Sequence, residues 1–385
     1  MKRVIADIQA SRYALAGFVA IGAGWATFAA QMPAIKAQVG LADGHYGVLV
    51  LLGSIGAMMA MWLAPAVHRL FGRRSMAVGA VAMAAGFVIV GLAGSASVFT
   101  IGIFLAAAGS GVTDILANAE VSVRESETRR SLMNLNHGAF SATYGLAALL
   151  VAPVREAGWS PVLVFACLAG LVLCLLPALQ GARARPDESD HAAPEGDDFP
   201  GAVVWLGGII VLIAFLGEAS AEGWSALHIE RTIGGTPAQG ALGPAILGLS
   251  MAVGRLGAHF FIAHVPPLRV ITAACLCATA GLFLVSVAPG LGAVYLGFGL
   301  AGLGVSVIGP LALGLVGQSV PARHQLLAIS RAAALGFGAF FIGPVLMGFV
   351  SEAFGLRFSF LVIGIIVFIA AAGVLPVWAR SIVRT

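Results

Sequence analysis

The chain has very little charge. Only 10% of its 385 residues are Asp, Glu, Lys or Arg, whereas a soluble protein carries about 25%. Hydrophobic residues make up 59% of the sequence, and the mean hydropathy is +0.99. Segments such as 76–94 and 358–377 contain no charged residue, and about 20 apolar residues suffice for a helix to cross a bilayer. This composition excludes a soluble globular domain and favours a polytopic membrane protein.

Motifs for metal, redox and nucleotide chemistry are also missing. The four cysteines, Cys167, Cys174, Cys275 and Cys277, form neither a CxxC pair nor a metal-ligand spacing. The glycine-rich segments follow no strand, so they do not have the context of a phosphate loop. The net charge of +4 is scattered over loops and forms no basic cluster. The sequence therefore predicts no metal, no cofactor, no ATP site and no nucleic-acid partner.

The apolar stretches predict an all-α protein with twelve transmembrane helices. Backbone polar groups in lipid must be paired within their own segment, which selects helices over open strands. No cleavage-site pattern follows the first stretch, so we expect it to be retained as a helix. The predicted spans are 13–35, 45–67, 75–94, 97–121, 134–154, 160–180, 201–222, 239–262, 270–288, 292–318, 328–351 and 358–379.

The loop charges predict the orientation of these spans. With both termini on the cytoplasmic side, 16 Lys and Arg residues fall inside and four fall outside. Cytoplasmic loops are the ones that carry an excess of Lys and Arg. We therefore expect an integral protein of the plasma (inner) membrane with both termini in the cytoplasm.

A polar segment at 181–200 divides the chain. It is acidic, contains three prolines and lacks apolar periodicity, which predicts a flexible cytoplasmic linker. The division leaves an N-terminal six-helix bundle at 1–180 and a C-terminal six-helix bundle at 201–385. Segments 145–153 and 336–344 each hold a glycine and a proline eight residues apart, in the fifth span of each half. Such an internal repeat is typical of secondary transporters.

A short loop carries a family resemblance. The loop between the second and third spans ends in Gly72, Arg73 and Arg74 and resembles the signature loop of the major facilitator superfamily. His68 and Arg69 stand where that family has an Asp-Arg pair. The resemblance implies two six-helix bundles, a monomer, and a fifth and eighth span that face each other across the bundle interface.

Three further segments resemble the YbjJ-like permeases within that superfamily. These are 109–118, 137–141 and 217–226. Gly223 stands where the branch usually has an Asp.

Polar residues inside the predicted spans are the candidates for function, because ionisable groups in lipid are costly unless they face a cavity or a partner. Several share one helix face at spacings of three or four residues. The candidates for substrate binding or proton coupling are Asp114, Asn118, His137, Ser141, Tyr144, Glu218 and Arg255. The candidates for a gate or cavity wall are Trp25, Gln31, Glu222, Trp224 and His259.

The resemblance groups some of these residues into one polar cluster under a central cavity. Its expected members are Asp114, His137, Arg255 and His259. Three explanations are open: contact with solute or protons, a cytoplasmic gate in which Asp114 pairs with Arg255, or a static pair between helices.

Glutamates and aromatic residues near the outer end leave further alternatives. Glu218 is either a proton or cation site, a cap on a broken helix, or a partner of Arg231. Glu222 is expected at the solvated membrane interface, where Trp224 is either an anchor or a platform for substrate. Gln31 is expected near the cavity mouth.

The function predicted from these observations is secondary active transport of a small organic solute by alternating access, coupled to protons. Arg255 and the histidines favour an anionic or zwitterionic solute. Two alternatives remain: a proton-driven exporter of hydrophobic drugs or lipids, and a transporter-like membrane sensor. An enzyme is not expected, because no catalytic constellation is present.

Overall fold

The computed structural model describes residues 2–130, 132–180, 201–261 and 265–384, and within them the side chains of 6–258 and 265–382. The first six helices, here called the N-half, are α1 (Lys2–Val39), α2 (Asp43–Phe71), α3 (Ser75–Gly91), α4 (Ala96–Thr128), α5 (Met133–Glu156) and α6 (Pro161–Leu179). The later helices, here called the C-half, are α7 (Gly201–Leu227), α8 (Pro237–Phe261), α9 (Pro267–Val287), α10 (Leu291–Gln318), α11 (Gln325–Phe337), α12 (Ala339–Phe354), α13 (Leu356–Ile369) and α14 (Leu375–Arg384).

The helices have the length and hydropathy that a membrane requires. Among the described residues, 11 helical stretches are long and apolar enough to cross a bilayer. The stretch Asp43–Gly91 is 49 residues long, and it contains both α2 and α3. A short turn, Gly72–Arg74, separates these two helices. Gly72 has φ 52° and ψ −123°, a conformation that only glycine adopts without strain. The glycine of the Gly72, Arg73, Arg74 motif is thus required by the turn itself.

Two predicted spans are interrupted in the structure. The eleventh consists of α11 and α12, which meet at Gly338. The twelfth consists of α13 and α14, joined by a wide helical turn at Ala370–Val374. A similar wide turn, His228–Ile233, extends α7 and ends at Gly234. This last turn positions Glu230 and Arg231 at the end of the molecule where α2 begins.

Glycines bring the two halves into close contact. A Cβ placed on Gly47 of α2 would lie 2.2 Å from the carbonyl oxygen of Pro344 on α12. One on Gly348 of α12 would lie 2.5 Å from the carbonyl oxygen of Asp43. Helices α5 and α8 meet in the same way at Gly145 and Gly248. Small residues allow such backbone approaches in lipid, where packing rather than water drives association.

The prediction of an all-α protein is confirmed, and most of the helices are longer than the predicted spans. Helix α1 covers Lys2–Val39 where the span was 13–35, because the helix continues through polar residues at both ends of the apolar core. The predicted linker at 181–200 lies outside the described residues.

Candidate functional site

Arg255 joins three other helices inside the membrane-spanning stretches. One of its terminal nitrogens donates to Oε1 of Glu218 on α7 at 3.1 Å. The other donates to the hydroxyl of Ser141 on α5, and Nε donates to the carbonyl oxygen of Ser306 on α10 at 3.4 Å. The side chains of Arg255 and Glu218 are 18% and 13% exposed. The guanidinium therefore ties the N-half to the C-half, through a buried hydroxyl on the N-half side.

Two more polar groups lie beside this ion pair. Glu222 is half-buried one turn along α7 from Glu218, and within the described part of the chain it has no hydrogen bond or ion pair. Tyr144 on α5 is 1% exposed, and its hydroxyl has no partner among the described atoms. That hydroxyl lies within electrostatic range of both Glu218 and Glu222. We call Ser141, Tyr144, Glu218, Glu222 and Arg255 the central cluster.

The N-half contributes a second group of polar side chains. The amide of Asn118 donates to the carbonyl oxygen of Asp114 at 2.9 Å, so these two residues bond within α4. The indole of Trp25 on α1 donates to the hydroxyl of Ser110 on α4 at 2.9 Å. His137 stacks on Phe18 with 4.8 Å between ring centroids and lies within electrostatic range of Arg255.

The expected pair of Asp114 and Arg255 does not form in this structure. Arg255 on α8 forms its ion pair with Glu218 on α7 instead, because these two helices pack directly against each other. Arg231, proposed as a partner of Glu218, bonds elsewhere. The fourth expected member of that cluster, His259, lies outside the residues whose side chains are described.

Two other candidates occupy unexpected surroundings. Gln31 is 0% exposed and does not line a cavity mouth here. Both of its amide atoms lack partners among the described residues. Trp224 is 2% exposed and packs edge-on against Tyr46 of α2, with 5.6 Å between centroids. It is therefore a contact between the halves and not an anchor at the membrane interface.

A second set of bonds closes the end of the molecule where α2 begins, here called the Asp43 end. Asp43 accepts from the two terminal nitrogens of Arg231 at 2.9 and 2.5 Å and from the hydroxyl of Ser351 at 2.5 Å. The ammonium of Lys36 lies 2.8 Å from its Oδ1. We call Lys36, Asp43, Arg231 and Ser351 the Asp43 latch. It joins α1 and α2 of the N-half to the C-half, and Asp43 is only 4% exposed.

A further ion pair joins the halves nearby. Arg155 at the end of α5 binds both carboxylate oxygens of Glu230, at 2.5 and 3.2 Å. Glu156 accepts from the backbone nitrogen of Ala238 at 3.0 Å, and Glu352 accepts from that of Gly44 at 2.7 Å. A cavity of about 560 Å³, lined by the latch residues, opens to the surface here.

The sequence did not reveal these contacts. Asp43 and Arg231 are 188 positions apart, and no local pattern links them. The only indication of these contacts in the sequence was that isolated charged residues stand at the ends of apolar stretches. As for metals, no group of three or more His, Cys, Asp or Glu side chains suited to an ion occurs among the described residues.

Comparison with known proteins decides the family. The model of the Major Facilitator Superfamily matches residues 14–299 and 209–384. The chain belongs to the major facilitator superfamily. A relative in Yersinia pestis, an uncharacterized MFS-type transporter, is 28% identical over 328 residues, which cover 84% of each chain.

Solved structures share the major facilitator fold. The D-xylose–proton symporter matches with a TM-score of 0.74 and 17% identity, over 96% of this chain and 97% of that one. A bacterial homologue of the human lysosomal transporter Spinster, inward-facing and unoccupied, matches with a TM-score of 0.72 and 15% identity, over 98% of both chains.

Membership of the major facilitator superfamily establishes the class of the protein. It is an integral membrane transporter and not an enzyme. The central cluster and the Asp43 latch both join the two halves of this transporter, and the loop at Gly72 is a turn between α2 and α3.

Proposed function

We propose that the protein is a proton-coupled secondary transporter that moves a small organic solute by alternating access. The observation that carries this proposal is the central cluster, in which one arginine of the C-half bonds to both halves beside an acid that has no partner among the described residues. Charged groups inside lipid persist where they contact a solute, an ion or each other. Arg255 bonds across the interface between the halves. A solute or proton that binds beside it can therefore change these bonds, and with them the relative position of the halves.

The proposed architecture has twelve crossings in two six-helix bundles. The stretch Asp43–Gly91 spans 49 residues, and at about 1.5 Å per residue it is more than twice as long as a bilayer core of about 30 Å is thick. Since α2 and α3 both pack on α4, we count them as two crossings. The segment at 181–200 then serves as a cytoplasmic linker between bundles 1–180 and 201–385.

We propose an orientation in which the Asp43 end lies outside the cell. The 16 basic residues of the opposite loops favour the cytoplasm for that side, and with it both termini and an inner-membrane location. The Asp43 latch then closes the outer side in the described state. The segments at 109–118 and 217–226 support membership of the YbjJ-like branch.

Proton coupling is assigned to the acids inside the membrane. Glu218 and Glu222 belong to the cluster that bonds across the halves, Asp114 lies on α4, and a carboxyl group exchanges protons with whichever side it faces. The fold shared with a D-xylose–proton symporter is compatible with this use, and the monomer is the expected working unit.

The test uses liposomes that contain the purified protein and a solute that stabilises it against thermal unfolding. Asp114→Asn is expected to abolish accumulation driven by a proton gradient while solute counterflow continues, because exchange needs no net proton movement. Glu127→Gln, on an exposed turn of α4, is the matched control and should retain both activities. Unchanged accumulation by Asp114→Asn would remove Asp114 from the coupling mechanism.

A further inference from the structure

The class of substrate follows from which charged groups of the central cluster are already paired within the protein. Each of the three nitrogens of Arg255 donates a hydrogen bond to the protein. Its positive charge is paired with Glu218. An anionic solute would have to displace Glu218 from the guanidinium before it found a cation there.

The acid that has no partner lies one helical turn away. Glu222 makes no hydrogen bond or ion pair with the described residues. The charged groups within its electrostatic range are Glu218 and Arg255. The cluster therefore sets two carboxyl groups against one guanidinium, and the carboxyl group of Glu222 is left without a cation.

A second polar group points to a ligand at the same place. The Tyr144 hydroxyl is buried, has no partner in the described structure and lies within electrostatic range of both carboxylates. A buried hydroxyl without a hydrogen bond is destabilising, because it has lost its water and gained no partner. Tyr144 also lies one helical turn along α5 from Ser141, the residue of the N-half that Arg255 bonds.

We infer that the transported solute carries an ammonium or guanidinium group, which Glu222 binds as the counter-ion with the Tyr144 hydroxyl beside it. The inference rests on the proposed function, since it assigns a solute to that transporter. It replaces the anionic solute that Arg255 suggested in the sequence, because the structure pairs Arg255 with Glu218. A zwitterion remains compatible only through its cationic end.

The experiment compares solutes that share a carbon skeleton and differ in charge. Two sets serve: tyramine, tyrosol and 4-hydroxyphenylacetate, and 1,4-butanediamine, 1,4-butanediol and butanedioate. Each is added to the purified full-length protein, and the shift of the thermal unfolding midpoint is measured. The amine of at least one set is expected to raise the midpoint, with its alcohol and its carboxylate giving no comparable shift. Stabilisation by the carboxylates, or by no amine, would overturn the inference.

Variants test whether Glu222 and Tyr144 are responsible for the binding of the amine. Glu222→Gln should weaken amine binding about tenfold or more, while Glu222→Asp, which keeps the charge, should retain part of it. Tyr144→Phe should weaken it less, and Glu127→Gln should leave it unchanged. If Glu222→Gln does not fold, the ranking of solutes by the unaltered protein still decides the class.

Uptake in liposomes separates this inference from the proposed function. Amine binding without proton-linked uptake would retain the substrate class and reject coupled transport. Proton-linked uptake of the carboxylate members would retain the transport function and reject the cationic class.

Discussion

Asp43 holds together side chains that are far apart in the sequence. Its carboxylate is almost fully buried and binds Lys36, Arg231 and Ser351. Without the acid, the Lys36 ammonium, which is 12% exposed, loses its counter-charge, while the Arg231 side chain is 42% exposed and is stabilised by water. Two cations face this single acid, so no other residue of the latch can take its place.

We therefore predict that Asp43→Asn opens the Asp43 end. The measurement is the labelling of Ser54→Cys, in a variant whose four native cysteines are alanine, by a maleimide that does not cross membranes. Ser54 lies deeper between the halves, where its hydroxyl donates to the carbonyl oxygen of Phe340 at 3.2 Å. Labelling from the outside should accelerate about tenfold or more. Glu127→Gln, which removes an exposed ion pair with Arg124, is the control, and equal rates in both variants would contradict the latch.

Helices α2 and α12 touch through their backbones, which makes their contact sensitive to a single methyl group. A side chain at Gly47 would meet the rigid carbonyl of Pro344, and a backbone atom has no rotamer with which to yield. We predict that Gly47→Val prevents closure of the Asp43 end and stops transport while the protein still folds. Each helix keeps its packing within its own half.

Gly170→Val is the matched control for this prediction. Gly170 also lies within a helix, α6, but a Cβ there would meet nothing within 4 Å. Uptake and Ser54→Cys labelling should match those of the unaltered protein. Normal uptake by Gly47→Val would show that this contact does not have to form during the cycle.

The helices could be predicted from the sequence because each depends on its own residues. Charges gather between apolar stretches, and the stretches became helices at the expected places. The breaks at Gly338 and Ala370–Val374 were missed, because lipid-like composition continues through them without a change. The partners of Arg255 and Asp43 were missed for a different reason. Ion pairing depends on which helices are adjacent, and the spacing along one helix says nothing about its neighbours.

The distribution of basic residues over the whole molecule predicts how it sits in the membrane. We expect green fluorescent protein fused after Thr385 to be fluorescent, since it matures in the cytoplasm, and alkaline phosphatase at the same site to be inactive. Alkaline phosphatase inserted at Trp159, between α5 and α6, should be active. The reverse pattern would invert the orientation and place the Asp43 latch on the cytoplasmic side.

The Asp43 latch also has a consequence for speed. A gate must break its bonds once in every cycle, so the strength of the latch adds directly to the barrier for opening. Each 1.4 kcal/mol of added barrier slows a step about tenfold. A transporter whose gate closes through strong ion pairs therefore allows little uncoupled leak of solute but turns over slowly. Variants with a weaker latch should turn over faster and leak more solute.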